Sequence, residues 1–589
     1  MSAGMVLGSA HAKGKNRLSV FSAIDIISGA DGHVDLTRSG TAQTTMATAE
    51  VVRGLGGAAS RNPLKRMFSS RRREAREGRQ TALGFTSHRP PPTYVPPNSV
   101  LVQVWAVGVD TLDGRLVGID VDSRCRKSTG KERASTDRQA DVGYIPGRSF
   151  VGRVLQCGWE VRDEQTRRGD WVVGLLDVRK AGALAEFVVV DRHRVRRTPQ
   201  PRMQKHGLDD SPEMAEQAYP TPPPSRPSTP SLSGAMPSIR PTPGSRRSSR
   251  PMHIPPQIPA LTLEELALLP LVGVPAFRAV RTLLFAFAGS PAKQREPHQR
   301  SASMDDINRH PADLKAFMAA LSGNSNDAKR ALVLMGHDGV GAFATQLLVR
   351  RGWRVSVHAP GPRRDEESSM AAIEARAQRW GAEEVVFDDA GEGGEGGATG
   401  AVVRVLERLT DDGDTFDAVL DTIGGRVIWE ASEKLLRGSS PVSPPATPSS
   451  LRRSLSVRKR RGPPRFAQFT TLVGDTPEKP VPTAGDHYRA GMRAMRGRES
   501  GDSSGDRARV GYAWVDPVSD VDWASAGVGD AIEGALAAAV REGVRPWVAG
   551  QDEGDRAARV VTFERAPDVF VDGNEVLEEG GTVVVKVVG

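Results

Sequence analysis

Ala331-Leu332-Val333-Leu334-Met335-Gly336-His337-Asp338-Gly339-Val340-Gly341 is the most readable stretch of this 589-residue chain. Its first five residues are an apolar run of strand length, and the glycines that follow mark a tight turn. A helical stretch from Ala342 to Arg350 comes next, then Trp353-Arg354-Val355-Ser356-Val357 as a second strand. Strand, glycine turn, helix and strand form the unit in which a Gly-x-Gly-x-x-Gly loop holds dinucleotide phosphates at a helix N-terminus. The central position of this loop is Asp338, not glycine. A carboxylate there brings its own anion and crowds the ligand's, yet aspartate is a good helix N-cap. The expectation is that Asp338 keeps the fold and weakens the site.

The second strand runs into His358-Ala359-Pro360-Gly361-Pro362-Arg363-Arg364, with no acid before Asp365. A carboxylate at this point would bind ribose hydroxyls, whereas cations suit a 2′-phosphate. Arg363 and Arg364 therefore point to NADPH over NADH, the alternative being a solvent-facing basic turn. Three phrases upstream pair glycine or Gly-Asp corners with valine-rich runs. They are Pro146-Gly147-Arg148-Ser149-Phe150-Val151-Gly152, Gly169-Asp170-Trp171-Val172-Val173-Gly174 and Gly182-Ala183-Leu184-Ala185-Glu186-Phe187. Such spacing is how short strands with tight corners are written.

In order and spacing, these phrases resemble the medium-chain dehydrogenase/reductase superfamily, nearest to its zinc-free branch of quinone oxidoreductases and enoyl reductases. Trp380-Gly381-Ala382-Glu383-Glu384-Val385-Val386, Phe416 to Gly425, Phe469 to Gly474 and the closing Gly580-Gly581-Thr582 to Val588 match later phrases of that family. The resemblance implies an α/β protein: a GroES-like β-barrel substrate domain joined to a Rossmann doubly wound parallel sheet, with long disordered insertions. It implies hydride transfer from NADPH to a quinone or an α,β-unsaturated carbonyl, a small-molecule substrate, in a cleft between the domains. The implied cofactor contacts are Gly336, Asp338, Gly339, Val340, Gly341, His358, Arg363, Arg364, Thr422, Leu472, Val473 and Gly474. Asp110, Asp113 and Tyr144 would line the substrate mouth, with Tyr144 either a proton donor or a packing residue.

The match is imperfect. Gly147-Arg148-Ser149 stands where the zinc branch has Gly-His-Glu, and Gly108 to Asp113 lacks its metal-binding cysteine, so no zinc is expected. Asp110 replaces an asparagine, Ser149 an aspartate, and Pro275 a threonine whose hydroxyl often faces the nicotinamide. With Asp338, these departures open a second reading, a catalytically degenerate scaffold whose loops bind partners.

Composition limits how much of the chain enters a core. It holds 62 glycines and 42 prolines but only 5% aromatic residues, a balance typical of chains with long unstructured tracts. The expected division is a disordered basic region at 1–93, the substrate domain at 94–200 and a Pro/Ser/Thr-rich insertion at 201–260. A bridging helix region follows at 261–289, an insertion at 290–328, and the nucleotide domain at 329–438 and 464–545. A basic insertion falls at 439–463, shorter ones at about 390–400 and 480–508, and 546–589 returns to the substrate domain. Thr262 and Glu265 form a capping box that starts the bridge.

The two cysteines, Cys125 and Cys157, cannot build a disulfide framework, and no run of 18 apolar residues suggests a membrane span. The net charge of +9 gathers in runs such as 65–79 and 452–461 without interleaved aromatics, which disfavours nucleic acid as a partner. Ser249, Ser303 and Ser456 each follow an arginine by three residues, a spacing suited to basophilic kinases. The stretch around Ser249 also resembles a 14-3-3 docking site. Cytoplasm is the expected compartment. Lys13, Lys15 and Arg17 before the first acid, Asp25, loosely fit a mitochondrial presequence, and Arg458-Lys459-Arg460-Arg461 a nuclear signal. The family resemblance adds a homodimer.

Overall fold

The structure is a computed structural model that describes residues 45–52, 83–118, 142–202, 259–288, 328–361, 367–389, 397–438, 466–477, 481–499, 509–519, 527–548, 559–571, 577 and 581–588. The chain enters through β1 (Met46–Val51), β2 (Leu83–Arg89) and β3 (Ser99–Val109). A short helix α1 (Thr111–Leu116) precedes β4 (Ser149–Cys157), β5 (Trp171–Leu175), β6 (Phe187–Asp191) and β7 (Val195–Arg197). Ten of the eleven residues of β3 are buried, because it pairs antiparallel with β4 on one edge and with β6 on the other. The crossing with β4 is so close that a Cβ on Gly152 would lie 2.3 Å from the Gln103 carbonyl oxygen.

β1 and β2 correct the expectation of disorder across 1–93. They pair antiparallel, and β1 joins the barrel through Ala49 N–H to the Leu184 carbonyl and Val51 N–H to the Tyr144 carbonyl, both at 2.9 Å. Sequence periodicity hides them because their inner contacts are partly polar. Thr48 and Thr86 share a hydroxyl hydrogen bond of 2.8 Å, and the buried Glu50 takes Arg89 Nε at 2.5 Å.

Chain direction then turns through α2 (Leu263–Leu268), a π-helical turn at Leu269–Gly273 and α3 (Val274–Ala288). Thr262 caps α2 and the Glu265 side chain bonds back to its N–H, so the capping box forms. Pro270, which has no N–H to donate, sits in the π turn. The run Leu263–Phe287 is long and apolar enough to cross a bilayer, yet 83% of its apolar window is buried inside the protein. It is a core helix.

The nucleotide domain is built from β8 (Arg330–Val333), α4 (Gly339–Arg350), β9 (Arg354–Ala359), α5 (Glu367–Arg379), β10 (Glu384–Phe387) and α6 (Gly397–Asp411). It continues with β11 (Ala418–Asp421), α7 (Arg426–Arg437), β12 (Phe466–Thr471), α8 (Ala484–Glu499), β13 (Arg509–Trp514) and α9 (Val528–Glu542). All six strands run parallel in the order β10-β9-β8-β11-β12-β13. That is the Rossmann order, with its switch point between β8 and β11. Alternate residues of β8 feed two cores: Ala331 and Val333 pack with α3, α4 and α9, Leu332 with α6 and α7. The sheet is thus covered on both faces.

The tail returns as β14 (Val560–Thr562), α10 (Ala566–Val569) and β15 (Val583–Lys586), with β15 antiparallel to β3. A further correction concerns 480–508, expected as a flexible insertion. α8 occupies most of it and packs against β13, and Thr483 with Asp486 forms a capping box at its start. The α6 helix likewise begins at Gly397, inside the stretch expected to be inserted at about 390–400.

The N-terminal hairpin can be tested. Leu83 is 1% exposed, so Leu83→Ala should cost about 2–5 kcal/mol of unfolding free energy in a denaturant titration. No change would mean that the hairpin is not part of the folded barrel.

Candidate functional site

The nucleotide turn lies at the carboxyl ends of β8 and β11, where parallel doubly wound sheets bind ligands. Its backbone is special. Met335 has a φ of 52° and Gly339 one of 49°, and a Cβ on Gly341 would fall 2.2 Å from the Met335 carbonyl oxygen. Gly336 N–H donates to the His358 carbonyl at 2.9 Å, fastening the turn to the end of β9.

Asp338 is the N-cap of α4: its Oδ1 accepts from Gly339 N–H at 2.5 Å. Its other oxygen pairs with the guanidinium of Arg559, on the segment entering β14. Burial alone would push this carboxyl up, but Arg559, then His337 and the Gly339 amide, hold it below the usual carboxylate range. His337 is buried, and desolvation lowers its pKa to about 4, so it is neutral at pH 7. His358 is also buried. Its Nδ1 accepts from Met335 N–H at 3.3 Å, and Nε2 lies 3.4 Å from Asp388, whose Oδ1 takes Gly361 N–H at 2.7 Å.

Asp421 knits the next two strand ends. It accepts from Ile423 and Gly424 N–H, both at 2.9 Å, and from Thr471 Oγ1 at 2.8 Å, while burial raises its pKa. Thr422 Oγ1 donates to the Leu334 carbonyl at 2.9 Å. Gly474, with φ of 79°, is pressed against Trp514, and its carbonyl takes Gly425 N–H at 2.7 Å.

The structure therefore gathers Gly336, Asp338, Gly339, Val340, Gly341, His358, Thr422, Leu472, Val473 and Gly474 along one edge of the sheet. It gives several of them structural duties: His358 and Thr422 bond to neighbouring backbone and Leu472 is core. Arg363 and Arg364 lie outside the described residues. A dinucleotide fits this turn in its backbone and glycines but meets the Asp338 carboxylate at the helix N-terminus.

The barrel contributes a second group. Asp110 caps α1 and exchanges hydrogen bonds with Asp113, 3.1 Å from Asp113 N–H to Asp110 Oδ1 and 3.3 Å in return. Arg148 Nη2 reaches Asp110 Oδ2 at 2.8 Å, and its Nε lies 3.8 Å from Asp113. Burial works against the Arg148 charge, but the two carboxylates keep it firmly protonated. Asp113 is fully buried. Burial, with Asp110 adding and Arg148 opposing, raises its pKa to about 7. Tyr144 donates its phenol to the Val178 carbonyl at 3.3 Å, and burial, then Asp113, pushes its pKa up. The three sequence-derived residues thus form one cluster, and Arg148 is the cation that organises it. Among the described residues no group of three His, Cys, Asp or Glu side chains is arranged to hold a metal.

The residues that line the space between the domains escaped sequence reading. A cavity of about 140 Å³ lies between Asp177 and Arg179 of the barrel and His487, Asp516 and Ser519 of the nucleotide domain. The His487 ring stacks on Trp514, with centroids 4.8 Å apart, and its Nε2 lies 3.8 Å from Asp516. Asp516 takes Val518 N–H at 2.9 Å and Ser519 Oγ at 2.6 Å, and Arg278 donates to the Ser519 carbonyl at 2.9 Å. Because Trp514 also touches Gly474, His487 stands one ring away from the end of β12. The capping box Thr483-Ala484-Gly485-Asp486 was the available signal for the helix that carries it.

Asp113 makes the barrel sensitive to pH. Its folded pKa lies above the ordinary aspartate value of 3.8, so its contribution to stability is full below about pH 4 and is lost as pH rises through about 7. Denaturant titrations from pH 4 to about pH 8 should show this decline in the natural protein and not in Asp113→Asn. Equal slopes would overturn the assignment.

No protein-family model matches the chain. A 125-residue part is 30% identical to "NAD(P)H oxidoreductase RTN4IP1, mitochondrial" of Danio rerio, covering 21% of this chain and 31% of that protein. The match thus spans under a third of its relative's length. The solved quinone oxidoreductase of Coxiella burnetii is 13% identical, with 92% of this chain and 100% of that one covered and a TM-score of 0.44. A mycobacterial quinone oxidoreductase is 14% identical over the same shares, with a TM-score of 0.42. With its parallel sheet in Rossmann order and a barrel that the C-terminal strand rejoins, the chain has a two-domain α/β architecture, and its 125-residue stretch is similar to part of the Danio rerio NAD(P)H oxidoreductase.

Proposed function

We propose that this protein is an NADPH-dependent oxidoreductase of the zinc-free type, reducing a quinone or an α,β-unsaturated carbonyl. The observation that carries the reading is a Rossmann glycine turn at the strand ends together with a polar cavity shared by the two domains, which Trp514 links to the strand end at Gly474. NADPH, when bound, supplies a hydride. Gly336 and Gly341 let the turn fold tightly on Val333 and Met335, Gly339 takes the left-handed conformation that starts α4, where phosphates would bind, and Gly474 with Val473 closes the far end of the same edge. The buried Arg148 fixes the Asp110–Asp113 loop that walls the substrate side. His487 lines the cavity, stacked on Trp514 beside Asp516, and is the side chain placed there to pass a proton to the reduced substrate.

One observation favours a second reading. The Asp338–Arg559 pair fills the anion position of the turn, as a degenerate dehydrogenase-fold scaffold would permit.

Nicotinamide absorbance should fall when the protein is mixed with NADPH and a panel of quinones and enones. His487→Gln should slow that turnover roughly 100-fold with little change in NADPH affinity. A folded protein that consumes neither NADPH nor NADH with any acceptor would favour the scaffold.

A further inference from the structure

The N-terminus of α4 carries unpaired N–H groups and the positive end of the helix dipole, which is why such turns bind phosphate. Here both oxygens of Asp338 are engaged, one by Gly339 N–H and the other by Arg559. The carboxylate is buried, and the Arg559 side chain is only 16% exposed. These two residues belong to different parts of the fold. Asp338 follows the first strand of the nucleotide sheet. Arg559 leads into β14, and its carbonyl accepts Val584 N–H at 2.8 Å, from the strand that closes the barrel on β3. The ion pair therefore spans the junction between the domains at the point where a dinucleotide's pyrophosphate would lie. Asp338, Arg376, His358 and Arg559 all lie near enough to His337 to act on its charge. His337 is 7% exposed, and its Nδ1 has no hydrogen-bond partner among the described residues.

We propose that Asp338 and Arg559 form an interdomain latch in which the carboxylate stands in for a dinucleotide's pyrophosphate, and that Arg559 is the cation that passes from carboxylate to phosphate when the cofactor enters. This rests on the dinucleotide-binding reading given above and adds a regulation of that site. A local capping role alone would need only the bond to Gly339, which asparagine or serine also makes. Pairing with a largely covered arginine from the other domain goes further, because it occupies the cation that phosphate would use. The incoming ligand must displace a buried ion pair, and its affinity is lowered by that exchange.

The test is a fluorescence titration of the full chain with NADPH, using the natural protein, Asp338→Gly, Arg559→Gln and the double variant, with folding followed by circular dichroism. Inorganic pyrophosphate serves as a competing probe. Asp338→Gly should tighten NADPH binding about tenfold or more, and the double variant should lose that gain. Pyrophosphate should compete with NADPH more strongly in Asp338→Gly than in the natural protein. Arg559→Gln should lower the melting temperature, because it leaves a buried carboxylate without its cation. Natural protein and Asp338→Gly binding NADPH equally well would overturn the latch while leaving the oxidoreductase reading intact. A double variant that binds as tightly as Asp338→Gly would remove Arg559 from the phosphate site. Folded variants that all fail to bind NADPH or NADH would end the oxidoreductase reading and the latch together.

Discussion

β15 lying antiparallel to β3 is the pairing on which the rest of this molecule depends. β3 is buried along nearly its whole length and already holds β4 and β6. When the last strand of the chain adds to it, everything between the early barrel strands and the C-terminus must leave the barrel and come back. The nucleotide sheet is that excursion. Its cleft with the barrel exists because one polypeptide enters and leaves the barrel on either side of a parallel sheet. The Asp338–Arg559 contact follows from the same constraint, since Arg559 is carried to the turn by the returning segment.

Buried charge pairs mark the joints. Lys586 of β15 meets Glu264 of α2 at 2.6 Å, and Arg545 meets Glu265 at 2.9 Å. Arg148 sits between Asp110 and Asp113. Such pairs contribute little net stability compared with apolar contacts of the same size, because both ions lose water. Losing one partner is costly, however, and this makes them strong determinants of register. At the bridge they act beside an uncharged tie, Ser149 Oγ to the Ala267 carbonyl at 2.6 Å. Ser149 suits this place. A short hydroxyl donor satisfies a buried carbonyl that a carboxylate would repel.

The turn and the neighbouring strand ends are organised by the protein's own contacts. Gly339, Gly341 and Gly474 fix the path of the backbone at the strand ends. Asp338, His358 and Thr422 turn their polar atoms toward the protein. Gly341 and Gly474 are held as glycines by the protein's own packing, the first by the Met335 carbonyl and the second by the Trp514 ring.

Local sequence determined the elements. The glycine turn after Met335, the capping box at Thr262 and the valine-rich runs of the barrel were all legible, since each is fixed by contacts within a few residues. The link among Asp110, Asp113 and Tyr144 was legible as a family likeness only. Arg148 emerged as the organiser once burial was known, because its charge matters through two carboxylates, one of them 38 positions away. Strands β1 and β2 were invisible, as their inner faces are closed by threonines and a Glu–Arg pair instead of alternating apolar residues. Helix α8 was passed over for its glycines and charge, and with it His487. Arg559 could not be tied to Asp338 by any local rule, since 221 residues separate them. The sequence alone therefore determined which segments are strands, turns and caps, through short-range backbone chemistry. Only the tertiary structure decided which charges face one another, because strand return and domain packing bring together residues that sequence spacing keeps apart.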